Sequence, residues 1–195
     1  MSPIDPPLLL HCCCGPCATA CVERLLAQGR RLRLYFSNSN LDTEAEFLKR
    51  LDNLRRVAAH SGLAEPLVDE YRHADWLRHV AAIPDYAQCP EGGNRCRQCF
   101  AWNLARAAEK AREIGGAFTT TLTVSPHKNS RVIFAVGAAH PDFEPIDFKK
   151  QDGFFRSTRL SRELGLYRQK YCGCEFSHQA TNNQDSSPCP PTRNE

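Results

Sequence analysis

A strand signal that ends in a cysteine-rich turn constrains the fold more than any other feature of the chain. Residues 8–10 are three leucines, and residues 11–17 read HCCCGPC, which places four thiols within six residues. Cys17, Cys21 and Leu25 then recur at helical spacing, so the pattern predicts a buried strand that feeds a helix. Because the N–H groups at a helix N-terminus favour thiolates over thiols, this turn is expected to hold reactive sulfur.

Strand and helix signals alternate along the rest of the chain. They predict strands at residues 8–10, 32–36, 67–68 and 118–124, and helices at residues 44–60, around Trp76 with Asp75 as its cap, from Phe100 to Ile114, and at residues 156–167. This order predicts right-handed βαβ units, and hence an α/β fold with three layers around a mostly parallel sheet. Ligands of such folds usually lie beyond the carboxyl ends of the strands, where the first cysteine group falls.

Length and composition indicate one globular domain. The chain has 195 residues, 42% of them hydrophobic and 24% charged, which fits a single domain over residues 1–176. Residues 177–195 are polar and contain prolines, so a disordered tail is expected there. The sequence has neither an apolar run of about 18 residues nor a signal-peptide pattern, so we expect a soluble, cytoplasmic protein without a membrane partner. Because structural disulfides are rare in the cytosol, the eleven cysteines indicate metal or redox chemistry.

Two further cysteine groups follow. Cys96 and Cys99 are three residues apart at the start of a predicted helix, and two thiolates from this group with two from the first would make a set of four. Such a set suits zinc or a [4Fe–4S] cluster, and the adjacent cysteines of the first group favour iron–sulfur. Cys172 and Cys174 flank a glycine, and a disulfide in so small a ring would be strained and easily reduced, which suits a redox role. His11 is expected to be a hydrogen-bonded or packed residue, because better sulfur ligands adjoin it.

The positive charge of the chain is concentrated near its C-terminal end. Residues 147–171 contain seven Lys or Arg and three acidic residues, whereas the whole chain has a net charge of +3. Such a stripe fits a phosphate backbone, and it equally fits a solvated helix face. Residues 125–128 (SPHK) are predicted to start the helix after the fourth strand, where Lys128 either faces solvent or contacts substrate.

Five strings together carry a resemblance to a known family. In chain order they are LLLHCCCGPC, EGGNRCRQCF, FTTTLTVSPHK, FKKQDGFFRS and LGLYRQKYCGC, and they span nearly residues 8–176. In these strings the chain resembles the QueH family of epoxyqueuosine reductases. The resemblance implies a fold related to adenine-nucleotide α-hydrolase (HUP) domains, with a [4Fe–4S] cluster where relatives bind phosphates. The sequence has no Gly-rich phosphate loop at that point, in agreement with this expectation.

The resemblance also implies roles for individual residues. The cluster ligands fall on Cys13, Cys14, Cys96 and Cys99, and the redox-active disulfide pair falls on Cys172 and Cys174. Cys17 stands where some members have Asp and is expected to hold a second, mononuclear iron. Because the family often has Ser or an aliphatic residue at the position of Cys12, a shift of the ligand from Cys13 to Cys12 remains open.

The implied activity is the reduction of epoxyqueuosine to queuosine at the wobble position of tRNA. An iron held by Cys17 would polarise the epoxide oxygen, the cluster would deliver electrons from an unidentified donor, and Cys172 and Cys174 would store or relay two electrons. Either Tyr167 or Tyr171 could stack on a splayed base. The predicted tRNA contacts are Lys128, Lys149, Lys150, Arg156 and Arg159.

Two other classes of function remain open from the sequence. The first is a non-catalytic RNA-binding protein that zinc stabilises. The second is an ATP-using tRNA thiolation or ligase-like enzyme in which Cys172 or Cys174 carries persulfide sulfur. The missing phosphate loop argues against the second.

Overall fold

The computed structural model describes residues 6–180 and contains one four-stranded parallel sheet within that range. Its strands are β1 (Leu8–Cys12), β2 (Leu32–Phe36), β3 (Leu67–Val68) and β4 (Phe118–Thr120), in the spatial order β3-β2-β1-β4. In the register, Leu10 of β1 lies opposite Leu34 of β2 and Thr119 of β4. Every residue of β1 is buried, as expected for a central parallel strand covered on both faces.

Helices cover both faces of this sheet. They are α1 (Gly15–Ala27), α2 (Glu44–His60), α3 (His73–Ala81), α4 (Asn94–Glu113), α5 (Ser130–Gly137), α6 (Gly153–Glu163) and α7 (Glu175–Ala180). Leu8 and Leu10 of β1 pack in a core with α1 and α2, whereas Leu9 packs in a second core with α4 and α5. Successive strand residues point to opposite faces, so the two cores lie on opposite sides of the sheet. The predicted three-layer α/β fold is confirmed, and its relation to HUP domains stays an expectation.

The predicted fourth strand is shorter than its sequence indicated. We predicted a strand at residues 118–124, but β4 ends at Thr120 and a 3-10 helix (Thr121–Val124) follows. The Thr120 hydroxyl accepts a hydrogen bond from the N–H of Leu122, and the Thr121 hydroxyl accepts one from the N–H of Cys13. Threonine has a high strand propensity, but here its hydroxyls satisfy backbone groups outside the sheet ladder and so permit the turn.

Several predicted helix starts are also displaced. Asp75 was predicted to cap a helix, but α3 begins at His73, and Asp75 instead pairs with Arg78 within the helix. Residues 125–128 were predicted to start a helix, but they form a turn. The helix α5 begins later, at Ser130, with the Asn129 side chain as its cap. Local cap chemistry resembles turn chemistry in a sequence, so these starts were misplaced.

The helix predicted at residues 156–167 is α6, which starts and ends earlier, at Gly153 and Glu163. The first residue of α6 is a glycine, Gly153, and a Cβ at this position would clash with the carbonyl oxygen of Phe148. After its end, Gly165 adopts a φ of +58°, and Arg56 donates hydrogen bonds to the carbonyls of Leu164 and Gly165. These bonds satisfy backbone groups that the helix leaves open.

The predicted tail of residues 177–195 begins within α7, and residues 181–195 lie outside the described part of the chain. No helix between residues 6 and 180 has the length and apolar character needed to cross a membrane.

Candidate active site

The first cysteine group lies where β1 leads into α1. Cys14 is the N-cap of α1, and its sulfur accepts a hydrogen bond from the backbone N–H of Cys17. The Sγ atoms of Cys13 and Cys14 are 3.9 Å apart, and the three sulfurs of Cys13, Cys14 and Cys17 all lie within 4.8 Å of one another. A Cβ on Gly15 would lie 2.7 Å from the backbone of Asn53, so α1 can approach α2 this closely because residue 15 is glycine. The structure thus forms a compact three-sulfur group.

Of the three thiols in this group, Cys14 is the one whose surroundings favour the thiolate form. Hydrogen bonds from the thiols of Cys13 and Cys17 hold the pKa of Cys14 well below its usual range, and the Gln169 side-chain amide adds a hydrogen bond of 3.2 Å to its sulfur. The hydrogen bond with Cys14 raises the pKa of Cys13, and hydrogen bonds with Cys13 and then Cys14 raise the pKa of Cys17. The Thr121 hydroxyl lies 3.5 Å from the sulfur of Cys13. One thiolate supported by neighbouring donors is the state expected of a soft-metal ligand set before it binds metal.

The second cysteine group lies in the first turns of α4. The sulfur of Cys96 accepts a hydrogen bond of 3.2 Å from the N–H of Gly92, and the sulfur of Cys99 lies 3.5 Å from the side-chain amide nitrogen of Asn103. Burial raises the pKa of both thiols. Arg95, which flanks this group, is itself buried, and it donates a hydrogen bond of 2.6 Å to the carbonyl of Tyr86. Arg95 therefore holds the loop before α4.

The third group, Cys172 and Cys174, lies in a loop that other elements hold in place. Both residues are free thiols in the structure, so the predicted redox disulfide stays a prediction. The guanidinium of Arg50 donates a hydrogen bond of 2.9 Å to the carbonyl of Cys172, and the N–H of Asp42 donates one of the same length to the carbonyl of Gly173. Cys174 is 8% exposed, and burial raises its pKa to about 11.

Two adjoining cavities join the three groups. The larger, of about 330 Å³, is lined by Cys13, Cys17, Cys99 and Cys172 together with Lys128. The smaller, of about 90 Å³, is lined by Cys96, Cys99, Cys172 and Cys174, again with Lys128. Within the described residues, the three sulfurs of the first group alone lie close enough to share one ion. The four-cysteine ligand set drawn from the first and second groups therefore stays a prediction, for which the shared cavities provide room.

Lys128 lies among the cysteines rather than on the outer surface. Its half-buried side chain lines both cavities, and the negative charge of Cys172 raises its pKa despite the opposing effect of burial. Lys149 donates hydrogen bonds of 2.6 Å and 3.4 Å to the carbonyls of Lys128 and Ser125. Lys149 therefore stabilises the turn that presents Lys128, and the predicted tRNA contacts of both residues stay a prediction.

The remaining predicted tRNA contacts lie on the surface. Arg156 forms a bidentate ion pair with Glu23, and Arg159 pairs with Glu163 at 3.4 Å. Lys150 is exposed on the turn before α6. Glu163 is already counted among the acidic residues of 147–171, whereas Glu23 lies outside that segment. The pair of Arg156 with Glu23 therefore makes the basic stripe weaker than its composition indicates.

His11 and Cys12 are buried and are not part of the three-sulfur group of Cys13, Cys14 and Cys17. His11 is fully buried, bonds the Thr120 hydroxyl and the carbonyl of Ser37 through its two ring nitrogens, and has a pKa lowered by burial. The prediction that it is a hydrogen-bonded residue is confirmed. Cys12 is buried in the core against α1 and α2, and burial raises its pKa well above the usual value. Cys13 therefore has the better position for a ligand.

Sequence reasoning missed three polar residues around the larger cavity, of which Arg50 and Asn103 are buried and Gln169 is half-buried. Arg50 is 2% exposed and forms a 2.7 Å ion pair with Glu46, one helical turn away. Gln169 bonds Cys14, and Asn103 bonds Cys99. A charged pair four residues apart usually indicates a solvated helix face. The sequence did contain a signal that Arg50 is buried, because it shares a helix face with the apolar residues Phe47, Leu51 and Leu54.

The residues present fit a thiolate-bound metal group. Three sulfurs are already grouped, Cys99 lines the same cavity, and the cationic side chains of Arg50 and Lys128 lie beside them. Soft sulfur donors select zinc or iron–sulfur centres over hard cations. Nearby positive charge favours the thiolate forms that such centres require.

Comparison with known proteins agrees with this arrangement. The family model described as "Epoxyqueuosine reductase QueH" matches residues 8–180. The protein named Epoxyqueuosine reductase QueH of Streptococcus pyogenes is 35% identical over 182 residues, which cover 89% of this chain and 71% of the relative. Its namesake from Thermotoga maritima is 34% identical over 176 residues, covering 87% and 89% of the two chains. The one from Dehalococcoides mccartyi is 30% identical over 189 residues, covering 94% and 98%. Because the match spans nearly all of the described residues, the chain belongs to the QueH family of epoxyqueuosine reductases.

Proposed function

We propose that this protein is a cytoplasmic oxidoreductase that reduces epoxyqueuosine to queuosine at the wobble position of tRNA, the final step of queuosine biosynthesis. The observation that carries the proposal is the convergence of three cysteine groups, from α1, α4 and the loop before α7, on two adjoining cavities. They lie beyond the carboxyl ends of β1 and β4, where parallel sheets usually bind ligands. The family names support the reaction itself.

The metal group that we propose is a [4Fe–4S] cluster held by Cys13, Cys14, Cys96 and Cys99, with a second iron at Cys17. When bound, these centres would supply single electrons and a Lewis acid for the epoxide oxygen. The pairing of neighbouring thiols at Cys13 and Cys14 favours such a cluster over a zinc knuckle, which prefers ligands separated by two to four residues.

The protein's own residues would supply the remaining chemistry. Removing the epoxide oxygen as water to leave an alkene consumes two electrons and two protons. Oxidation of the Cys172 and Cys174 thiols to a disulfide releases the same two electrons and two protons, and a cellular reductant would then restore the dithiol. Arg50 holds the backbone of this loop through the carbonyl of Cys172. The Lys128 ammonium, which lines both cavities, would stabilise a Cys172 thiolate during the exchange.

The proposal is tested by counting iron and sulfide in anaerobically purified protein and by assaying tRNA that carries epoxyqueuosine. We expect a brown protein with about four irons and four sulfides whose absorption dithionite bleaches. Cys14→Ser should lose both the chromophore and the turnover. Cys89→Ser is the matched control, because Cys89 lines neither cavity. A colourless zinc protein would refute the reductase mechanism and support the zinc-stabilised RNA-binding protein.

The relay is tested separately at Cys172. Cys172→Ser should keep the chromophore, because Cys172 is outside the proposed ligand set, and should slow multiple turnover. A Cys172→Ser protein with full multiple-turnover activity would remove the cysteine pair from the mechanism.

A further inference from the structure

Two adjacent phenylalanines on α6 are exposed. Phe154 is 41% exposed and Phe155 is 72% exposed, the largest value among the exposed large hydrophobic side chains between residues 6 and 180. The others, Leu26, Leu48 and Val68, are scattered aliphatic residues. Single exposed apolar residues are common, but two neighbouring aromatic rings in water indicate a surface that contacts a partner.

α6 packs against α1, the helix that follows the first cysteine group. Its inner face carries Ser157, whose hydroxyl donates a hydrogen bond of 2.6 Å to the carbonyl of Pro16, between Cys14 and Cys17. Gly153 permits the close approach to Phe148 at the start of the helix. The exposed rings are therefore held at a fixed place, and their exposure does not result from a loosely packed helix.

One of the two rings, that of Phe154, lies at the edge of the site. Phe154 lines the 330 Å³ cavity that Cys13 and Cys172 line, so it belongs to both the cavity wall and the outer surface. Phe155 is the next residue of α6, and its exposed side chain is not among those that line the cavity. A partner that places one group in the cavity would bring its neighbouring group against these rings.

The surrounding charge identifies the chemistry of that partner. Arg168 and Lys170, both exposed, line the same cavity, and Lys150 is exposed just before α6. The acidic residues of the basic segment, residues 147–171, are Asp147, Asp152 and Glu163, and Glu163 pairs with Arg159. Exposed aromatic rings can stack on planar bases, and cationic side chains attract phosphates. Together they fit single-stranded nucleic acid, a polyanion whose unpaired bases are free to stack.

We infer that Phe154 and Phe155 form a stacking platform for an unpaired tRNA base that flanks the modified base. The inference rests on the proposed function, since it takes tRNA as the substrate. In this arrangement, stacking on α6 orients the RNA. Arg156 keeps its ion pair with Glu23 and is not needed as an RNA contact. The basic side chains supply phosphate attraction, and the rings hold the neighbouring base while the modified base enters the cavity.

The experiment measures binding of the full-length protein to a fluorescent RNA hairpin whose loop carries an unmodified wobble guanosine. We expect Phe155→Ala to weaken binding about tenfold, the typical loss for one stacked base. The dependence on salt concentration should be unchanged, because no phosphate contact is lost. Binding to a blunt RNA duplex, which has no unpaired base, should be the same for both proteins. Phe155→Trp should bind the hairpin at least as well as the unsubstituted protein.

Leu48→Ala is the matched control, because Leu48 is 53% exposed on α2 and lines neither cysteine cavity. Equal hairpin affinity of Phe155→Ala, Leu48→Ala and the unsubstituted protein would overturn the inference. A variant that instead loses self-association or binding to anionic vesicles would also overturn it and identify a different partner. Binding to the unmodified hairpin requires no turnover, so an inactive reductase that still stacks RNA would refute the proposed reaction alone.

Discussion

Gly173, between the two cysteines of the third group, provides a quantitative test of how that loop is held. Its φ is +127°, a conformation that costs a residue other than glycine about 1–3 kcal/mol. A Cβ there would clash with Cδ2 of Leu41 and lie 3.0 Å from both terminal nitrogens of Arg50. Overpacking of this kind costs about 1–3 kcal/mol. Gly173→Ala should therefore lower the free energy of unfolding by about 2–6 kcal/mol.

The matched control is Gly62→Ala. Gly62 has a φ of +65°, but a Cβ there would have nothing within 4 Å, so its cost is conformational alone, about 1–2 kcal/mol. Urea unfolding of both variants, followed by circular dichroism, measures the difference. A slope of about 2–3 kcal/mol per molar converts the Gly173→Ala loss into a midpoint shift of about 0.7–3 M. Equal shifts for the two variants would refute the assigned contact with Leu41 and Arg50.

Two further predictions concern buried charge. Arg50→Met should destabilise the protein by about 3–5 kcal/mol, because it leaves the Glu46 carboxylate buried and unpaired, and adding Glu46→Gln should recover part of that loss in urea unfolding. Burial disfavours the ionised form of Asp69, but hydrogen bonds from Arg106 and Ser37 outweigh it and lower the pKa of that carboxyl. A lowered folded-state pKa stabilises the protein above the unfolded value of about 3.9, and this stabilisation is lost as pH falls through the folded value, so Asp69→Asn should flatten the acid side of the stability profile.

The predictions for Arg50 and for Asp69 can each be contradicted by a specific result. If the double variant at positions 46 and 50 is no more stable than Arg50→Met, the ion pair does not account for the loss. If the stability of Asp69→Asn and of the unsubstituted protein falls equally between neutral pH and about pH 3, then Asp69 carries no acid-linked stabilisation.

Local sequence patterns predicted much of the fold. The apolar run of β1, the spacing of apolar residues in α2 and the strand at Leu32–Phe36 agree with the structure. Each of these signals lies within one element, where periodicity reports which side chains are buried. The errors fall at element ends, such as the 3-10 helix at Thr121–Val124, where side-chain hydroxyls decide the backbone path.

The sequence by itself determined where the cysteines cluster and so predicted which residues carry the chemistry, because clustered cysteines are chemically distinctive wherever they lie in a chain. Only the tertiary structure decided how they meet. Cys13, Cys99 and Cys172 come from distant parts of the chain, and the parallel sheet brings them to one cavity. The placement of Arg50 and Lys128 beside Cys172 was decided in the same way, because these contacts join elements remote in sequence. Short-range periodicity contains no information on such long-range contacts, which the packing of helices on both faces of the sheet creates.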